Sequence, residues 1–305
     1  MDLRQIRYFL ALFEAGSITR AAQRLNVVQP AVSMQIRRLE DEHGVTLFTR
    51  TPQGLQPTPF ASELYELCCR VANDVDRVEQ FLGGARGHLT GELKIGVPPS
   101  LALSRLGEIL VAFHARHPHV RLKVHEGYSG HLVEWLGSGE IDIAVMTAPE
   151  PDERLSFRTI LEEELVLVLG AGADSVAGES IEAAALTDLP LVLPTERNML
   201  RGFIEDELAR AGLRVAPQLE VDSLATVLSI LEAGGWASIL PAIALARAPS
   251  GRRLRTVRIV APSLRRALVV ANKRSRPLSE AGEAFSAQLA GSLGTGDEAI
   301  RPRAV

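Results

Sequence analysis

The sequence predicts a mixed α/β protein with a small helical head, one long helix and a two-lobed α/β body. Three observations support this organisation. Short helical patterns fill residues 1–58, an apolar repeat in threes and fours runs through residues 59–88, and strands alternate with helices over residues 91–293. At 305 residues the chain exceeds one ordinary domain, so two or three units are expected.

Residues 18–37 have the pattern of two short helices joined by a tight turn. Ser17 suits the N-cap of the first helix, residues 26–28 interrupt the pattern, and Pro30 suits the first turn of the second helix. One apolar stripe of the second helix faces inward, through Val32, Ile36 and Leu39. A preceding amphipathic helix completes a small core with Leu3, Ile6, Leu10 and Phe13.

The opposite face of the second helix carries groups with the chemistry to contact DNA. Gln29, Ser33 and Arg37 offer an amide, a hydroxyl and a guanidinium, which contact base edges and phosphates. The alternative is an ordinary helical hairpin with a solvated polar face. After Leu47 and Phe48 comes a turn-rich basic segment, as in a β-wing that lies along a phosphate backbone. The predicted DNA-binding residues are Ser17, Thr19, Arg20, Gln29, Pro30, Ser33, Met34, Arg37, Arg50, Thr51 and Gln53.

The charge is unevenly distributed along the chain. The formal net charge is −4, yet residues 1–60 hold seven arginines against five acidic residues, a net charge of +2. A weakly basic head on an acidic body suits a protein that touches DNA through one small module and gains affinity by dimerising. The adjacent Cys68 and Cys69 point apart on a helix and predict no disulfide. No signal peptide or membrane-spanning run is recognised, so a cytoplasmic protein without membrane contact is expected.

The long helix is predicted to begin at Thr58 and Pro59 and to pair with another helix. An apolar seam on an otherwise polar helix favours a partner helix, although packing on its own domain is the alternative. The predicted dimerisation residues are Phe60, Leu64, Leu67, Val71, Val75, Val78 and Leu82.

The body is predicted to contain two α/β lobes with parallel sheets and right-handed crossovers. Lobe I comprises about residues 91–163 and 265–293, and lobe II about residues 164–264. The late return of the chain predicts two strands that cross between the lobes. A single helix is expected over residues 101–117, and the second series of strands is expected to start at residue 165.

Residues 1–58 resemble the winged helix-turn-helix of LysR-type transcriptional regulators. The matching positions include Asp2–Gln5, Tyr8-Phe9, Gly16-Ser17, Ala21-Ala22, Leu25, Gln29-Pro30-Ala31, Ser33, Ile36–Glu40, Gly44-Val45, Leu47-Phe48 and Arg50. The similarity in layout continues to about residue 290, and the segment near Ser129 resembles the nitrogen-assimilation-control-like branch. Val28 stands where this family usually has a capping serine, and Met34 where a basic residue is common.

The resemblance implies a transcriptional activator or repressor. It further implies a long linker helix that pairs two subunits, a periplasmic-binding-protein-like effector domain, a homodimer or homotetramer, and contact with RNA polymerase. The expected partners are therefore double-stranded operator DNA, a small-molecule effector and a second copy of the chain.

Three strand-to-helix turns, at residues 98–100, 127–130 and 194–198, predict a ligand site between the lobes. Each places a small hydroxyl residue at a helix start, where N–H groups and the helix dipole favour a polar or anionic ligand. The alternative is that each hydroxyl is only a helix N-cap. The predicted effector-binding residues are Pro99, Ser100, Leu101, Tyr128, Ser129, Thr147, Thr195 and Asn198.

The sequence offers little for an enzyme, a metal site or a cofactor. His131 replaces the last glycine of a nucleophile elbow, and residues 170–172 lack the third glycine of a dinucleotide fingerprint. His114, His117 and His119 are interpreted as surface residues, and residues 162–164 as a solvated run of glutamates. The remaining alternative is a small-molecule-binding α/β protein without a direct role on DNA.

Overall fold

The structure, a computed structural model, describes residues 1–51, 54–84, 88–148, 152–173, 176–246 and 254–294. The predicted DNA contact Gln53 lies outside these ranges. The side chains of Arg50, Thr51 and Leu82 also lie outside the described part of the structure.

The head contains three helices followed by a two-stranded antiparallel wing and the start of a long helix. The elements are α1 (Leu3–Ala15), α2 (Ile18–Leu25), α3 (Gln29–His43), β1 (Phe48–Thr51), β2 (Gly54–Pro57) and α4 (Pro59–Gly84). Asp2 and Gln5 form a capping box at the start of α1, and Gly16 ends it in the left-handed conformation. The Thr58 hydroxyl accepts a hydrogen bond from the Ala61 N–H, which confirms the predicted start of α4.

The core of the head differs from the predicted stripe on α1. Phe9 and Leu12 are fully buried, whereas Leu3 is exposed. The reason is that α1 packs against α4 as well as against α2 and α3, so that two of its faces are covered. Phe13 stacks on Tyr65 of α4 with ring centroids 4.2 Å apart. The predicted inward stripe of α3 is confirmed, since Val32, Ile36 and Leu39 are buried.

Lobe I follows in the order β3 (Gly91–Val97), α5 (Pro99–Ala102), α6 (Leu106–Arg116), β4 (Val120–Glu126), α7 (Ser129–Ser138) and β5 (Ile143–Thr147). The single helix predicted over residues 101–117 is wrong, because a turn separates α5 from α6. At this turn the Ser104 hydroxyl donates to the Leu101 carbonyl at 2.7 Å. A serine that bonds to nearby backbone in this way competes with the regular helical pattern.

The rest of the body begins with a strand of 15 residues, β6 (Leu155–Leu169), which starts ten residues before the predicted one. It is followed by β7 (Ser180–Glu182), β8 (Val192–Leu193), α8 (Met199–Arg210), β9 (Leu219–Glu220), α9 (Leu224–Ala233), β10 (Ala237–Pro241), β11 (Arg255–Val260), β12 (Arg265–Lys273) and α10 (Glu280–Gly294). Short 3-10 helices span Ala183–Asp188 and Ala242–Leu245.

The sheet is mixed, which corrects the prediction of purely parallel sheets. Strands β3, β4 and β5 are parallel, but β12 runs antiparallel to both β5 and β6, and β10 and β11 run antiparallel to β6. The antiparallel pairs of β12 with β5 and β6 arise because β6 carries the chain from lobe I into lobe II and β12 brings it back. Two crossing strands were predicted, and β6 and β12 confirm them.

Helices cover both faces of the sheet in each lobe, so the strands are buried on two sides. Within the described residues, no helix is both long enough and apolar enough to cross a membrane.

Candidate functional site

The exposed face of α3 is the candidate surface for DNA. Gln29, Pro30, Ser33, Met34 and Arg37 are all exposed there, opposite the buried stripe. Thr19 and Arg20 on α2 are exposed, and Ser17 at its N-cap is half-buried. The extended backbone of Val28 caps α3, so the position at which the family usually has serine holds an apolar side chain that is 70% exposed.

The wing is anchored to the helical core beside this face. The Glu40 carboxylate of α3 accepts hydrogen bonds from the backbone N–H groups of Leu47 and Phe48, at 2.7 and 3.3 Å. Leu47 itself is fully buried. This anchor ties the start of β1 to the C-terminal half of α3.

The long helix α4 has two kinds of apolar residue. Ala61, Tyr65, Cys68 and Cys69 are buried against the head, and Leu64 is partly buried there. Another set on the same helix stays exposed in the single chain, with exposed fractions of 51% for Phe60, 53% for Leu67, 44% for Val71 and 57% for Val78. Val75 is half-buried. Packing on its own domain therefore accounts for only part of the predicted seam.

A cleft of about 580 Å³, including its open mouth, lies between the two lobes. Lobe I contributes the starts of α5 and α7 and the end of β5, through Pro99, Ser100, Tyr128, Ser129 and Thr147. Lobe II contributes the starts of α8 and α9 and the end of β10. The turns predicted at residues 98–100, 127–130 and 194–198 thus all meet at one cleft, as expected at the carboxyl ends of α/β strands.

A buried ion pair forms the floor of the cleft. The Arg266 guanidinium donates from Nε and Nη2 to Glu163 Oε1, at 2.8 and 2.6 Å, and the exposed side-chain fractions of the two residues are 4% and 0%. Arg266 also donates to the hydroxyls of Thr147, at 2.9 Å, and Ser100, at 3.4 Å. The guanidinium therefore orients two hydroxyls that line the cleft.

The interpretation of residues 162–164 as a solvated run is wrong for the middle residue. Side chains alternate across a strand, so Glu163 points inward while Glu162 is exposed. Glu163 lies directly opposite Arg266 in the β6–β12 register, and Glu164 lies opposite Arg265. Sequence reasoning missed Arg266 and Glu163. The signal was available in two complementary charged runs, but their pairing requires the strand register.

On the lobe II side, Thr195 and Asn198 surround the carboxylate of Asp222. Thr195 donates to this carboxylate through its N–H and its hydroxyl, and the amide of Asn198 lies 3.5 Å from it. The true N-cap of α8 is Asn198, whose side chain accepts from the Leu200 N–H, so the expectation that Thr195 begins this helix is wrong. The Tyr128 hydroxyl donates to the Asp222 carbonyl and so links lobe I to lobe II.

Two further details correct the sequence prediction. The Leu101 side chain is fully buried in the core of lobe I, because it falls on the inward face of the short helix α5, and it does not line the cleft. Ser100 and Ser129 lie within the first turns of α5 and α7, whose N-caps are Pro98 and Tyr128. The capping interpretation of these two serines is therefore wrong. Within the described ranges, no group of three or more potential metal-binding side chains occurs.

A winged helix-turn-helix, a long exposed helix and a two-lobed body with a central cleft define the class of bacterial DNA-binding transcriptional regulators. Two family models match in this order: "Bacterial regulatory helix-turn-helix protein, lysR family" over residues 3–62 and "LysR substrate binding domain" over residues 86–294. The chain belongs to the LysR family. Members of this family are DNA-binding regulators and not enzymes.

The relatives agree with this assignment. The HTH-type transcriptional regulator BudR of Raoultella terrigena is 34% identical over 249 residues, which cover 79% of this chain and 84% of BudR. The nitrogen assimilation regulatory protein nac of Escherichia coli is 28% identical over 242 residues, covering 79% and 78%. The solved structure of a full-length OxyR variant from Pseudomonas aeruginosa shares the fold, with a TM-score of 0.73 at 23% identity and coverage of 99% and 95%.

Proposed function

We propose that a small polar or anionic effector, bound between the lobes, controls promoter binding by this regulator, which acts on RNA polymerase as a dimer or tetramer. The observation that carries the effector proposal is the convergence of Ser100, Ser129 and Thr147 on a cleft whose floor is Arg266. These groups come from separate elements of the fold, and binding of a shared ligand would explain why they converge.

The chemistry of the cleft favours hydrogen-bond acceptors on the ligand. The first N–H groups of α7, a helix of ten residues, have no carbonyl partner within that helix, and its dipole adds positive potential there. Four of the five N–H groups of Arg266 are used by Glu163, Thr147 and Ser100, which leaves one on Nη1 among the described contacts. Because Glu163 neutralises Arg266, a small carboxylate or a neutral polar group fits better than a multiply charged anion.

We assign direct base contacts to Gln29 and Ser33, and phosphate contacts to Arg37 and Arg50. The exposure of Gln29, Ser33 and Arg37 on one face of α3 supports this assignment. Met34 is 66% exposed on the same face and offers an apolar contact, of the kind that a thymine methyl group accepts.

For the exposed apolar face of α4 we propose α4 of a second copy as the partner. On this helix of 26 residues, the exposed face lies beside the face that packs on the head. Four large apolar side chains that are 44–57% exposed on such a helix match the seam of a helix pair.

The effector proposal is tested with Ser100→Ala and the matched control Ser104→Ala. Both serines are buried and lie four residues apart, but only Ser100 lines the cleft. A panel of small mono- and dicarboxylates and neutral polar compounds is screened for a rise in melting temperature, and the best compound is titrated into each variant. Loss of the Ser100 hydroxyl should weaken binding by about 1–3 kcal/mol.

The Ser104→Ala variant should bind the selected compound as the unchanged protein does. A screen in which no such compound stabilises the protein would contradict the effector proposal. Equal affinity in Ser100→Ala and the unchanged protein would remove Ser100 from the site.

A further inference from the structure

Helix α7 joins the effector cleft to the DNA-binding domain. Its first residue, Ser129, lines the cleft together with the preceding Tyr128. Its last turn, at the other end of this ten-residue helix, contacts helix α2 of the head. One element of lobe I therefore touches both the cleft and the DNA-binding domain.

Arg24 of the head binds the C-terminal end of α7. Arg24 Nη1 donates to the Ser138 carbonyl at 2.8 Å, and Nη2 donates to the Gly139 carbonyl at 3.1 Å. Glu14 holds the guanidinium in place through an ion pair of 2.6 Å, and the Glu14 side chain is only 10% exposed. A cation at the C-terminal end of a helix also interacts favourably with the helix dipole.

A second contact links the crossing strand β12 to the long helix. Lys273 ends β12, while Arg266 near its beginning forms the floor of the cleft. The Lys273 ammonium donates to the Gly137 carbonyl of α7 at 3.0 Å and to the Tyr65 hydroxyl of α4 at 2.5 Å. Tyr65 in turn donates to Glu14 at 2.8 Å.

These contacts form one partly desolvated cluster. Burial lowers the pKa of Lys273 and raises the pKa of Tyr65. Hydrogen bonds weaken steeply as distance and angle depart from their optimum, so a small shift of α7 or β12 relative to the head breaks the set. A shift of either element at the cleft would therefore alter its contacts with the head.

We propose that α7 and β12 transmit effector binding to the DNA-binding domain through this cluster, with Glu14, Arg24 and Lys273 as positioning residues. The inference rests on the proposed effector cleft and adds the route by which that site regulates DNA binding. Because coupling between two binding sites is reciprocal, DNA bound to the head must also change α7.

Reciprocity allows a test without the effector. The chain has two tryptophans, and one of them, Trp135, lies on α7. In a Trp236→Phe background, Trp135 fluorescence reports on this helix alone. A DNA duplex obtained by in vitro selection with the protein is titrated into it, and binding is followed by the fluorescence anisotropy of the labelled duplex. Hydrogen exchange is measured in parallel for the amides of residues 132–134, which lie nearer the cleft than Trp135.

Gly139→Asn crowds the contact between Arg24 and α7 from outside both sites. Gly139 has a φ of +68°, which asparagine tolerates, and an added Cβ would lie 3.0 Å from both Arg24 Nη2 and Glu14 Oε2. The matched control is Gly212→Asn, which has a φ of +74° and open space around the added Cβ. Lys273→Met is the second variant, which removes the contacts with Gly137 and Tyr65.

DNA should change Trp135 emission and the exchange of residues 132–134 in the parent and in Gly212→Asn. Both changes should be at least twofold smaller in Gly139→Asn and in Lys273→Met at saturating DNA. Responses in both Gly139→Asn and Lys273→Met that equal the response of Gly212→Asn would overturn the proposal, as would bound DNA without any response in the parent. The effector proposal is judged separately by the Ser100→Ala titration, so either can fail alone.

Discussion

The buried pair between Arg266 and Glu163 supports one quantitative prediction. Glu163→Ala removes the acceptor of three hydrogen bonds, two from Arg266 at 2.8 and 2.6 Å and one from the Ile243 N–H at 3.4 Å, and it leaves a guanidinium with 4% exposure without its counter-ion. Breaking a buried pair from one side costs about 3–5 kcal/mol, so the free energy of unfolding of the effector domain should fall by that amount.

The double variant Glu163→Leu/Arg266→Met separates two contributions to this loss of stability. One is the lost ion pair itself, and the other is the cost of leaving Arg266 buried without a counter-ion. The double variant replaces both charges by apolar side chains of similar size, so it should be more stable than Glu163→Ala, although the Ile243 N–H loses its acceptor in both variants. The control is Glu164→Ala, since Glu164 is 34% exposed and its ion pair with Arg258 spans 3.8 Å. That substitution should cost less than about 1 kcal/mol.

Urea denaturation followed by tryptophan fluorescence measures these values. The chain's two tryptophans, Trp135 and Trp236, both belong to the effector domain, so the signal does not report on the head. The reasoning is refuted if Glu163→Ala costs no more than Glu164→Ala. It is also refuted if the double variant is as unstable as the sum of the two single substitutions.

The DNA surface and the exposed face of α4 lead to two further predictions. Gln29→Ala should weaken binding to selected DNA by about 1–3 kcal/mol and spare random DNA, whereas Arg50→Ala should weaken both and flatten the salt dependence. Equal losses of Gln29→Ala on both duplexes in gel shifts would exclude base contact by this residue. Leu67→Glu should yield smaller species in sedimentation, because it buries an unpaired charge in the helix pair, while the exposed control Ser62→Glu should not. An unchanged oligomer in Leu67→Glu would place the interface elsewhere.

Local patterns determined much of the fold from the sequence alone. The helix α9 has the predicted bounds, Leu224–Ala233, and β4 has the predicted bounds, Val120–Glu126. The head was predictable because a cap, a proline and an apolar period within about twenty residues specify its helices. Residues near in sequence control such features, so no knowledge of distant partners is needed.

Tertiary structure decided the features that depend on distant partners. Glu163 is one of three adjacent glutamates, and only the register with β12, 103 residues further on, makes it the buried member. The direction of β12, and hence the mixed sheet, follows from how the chain re-enters lobe I. Arg24 looks like any exposed arginine of a helix until α7, 114 residues away, presents two carbonyl groups to it. Burial and charge pairing are properties of such long-range contacts, and local periodicity does not encode them.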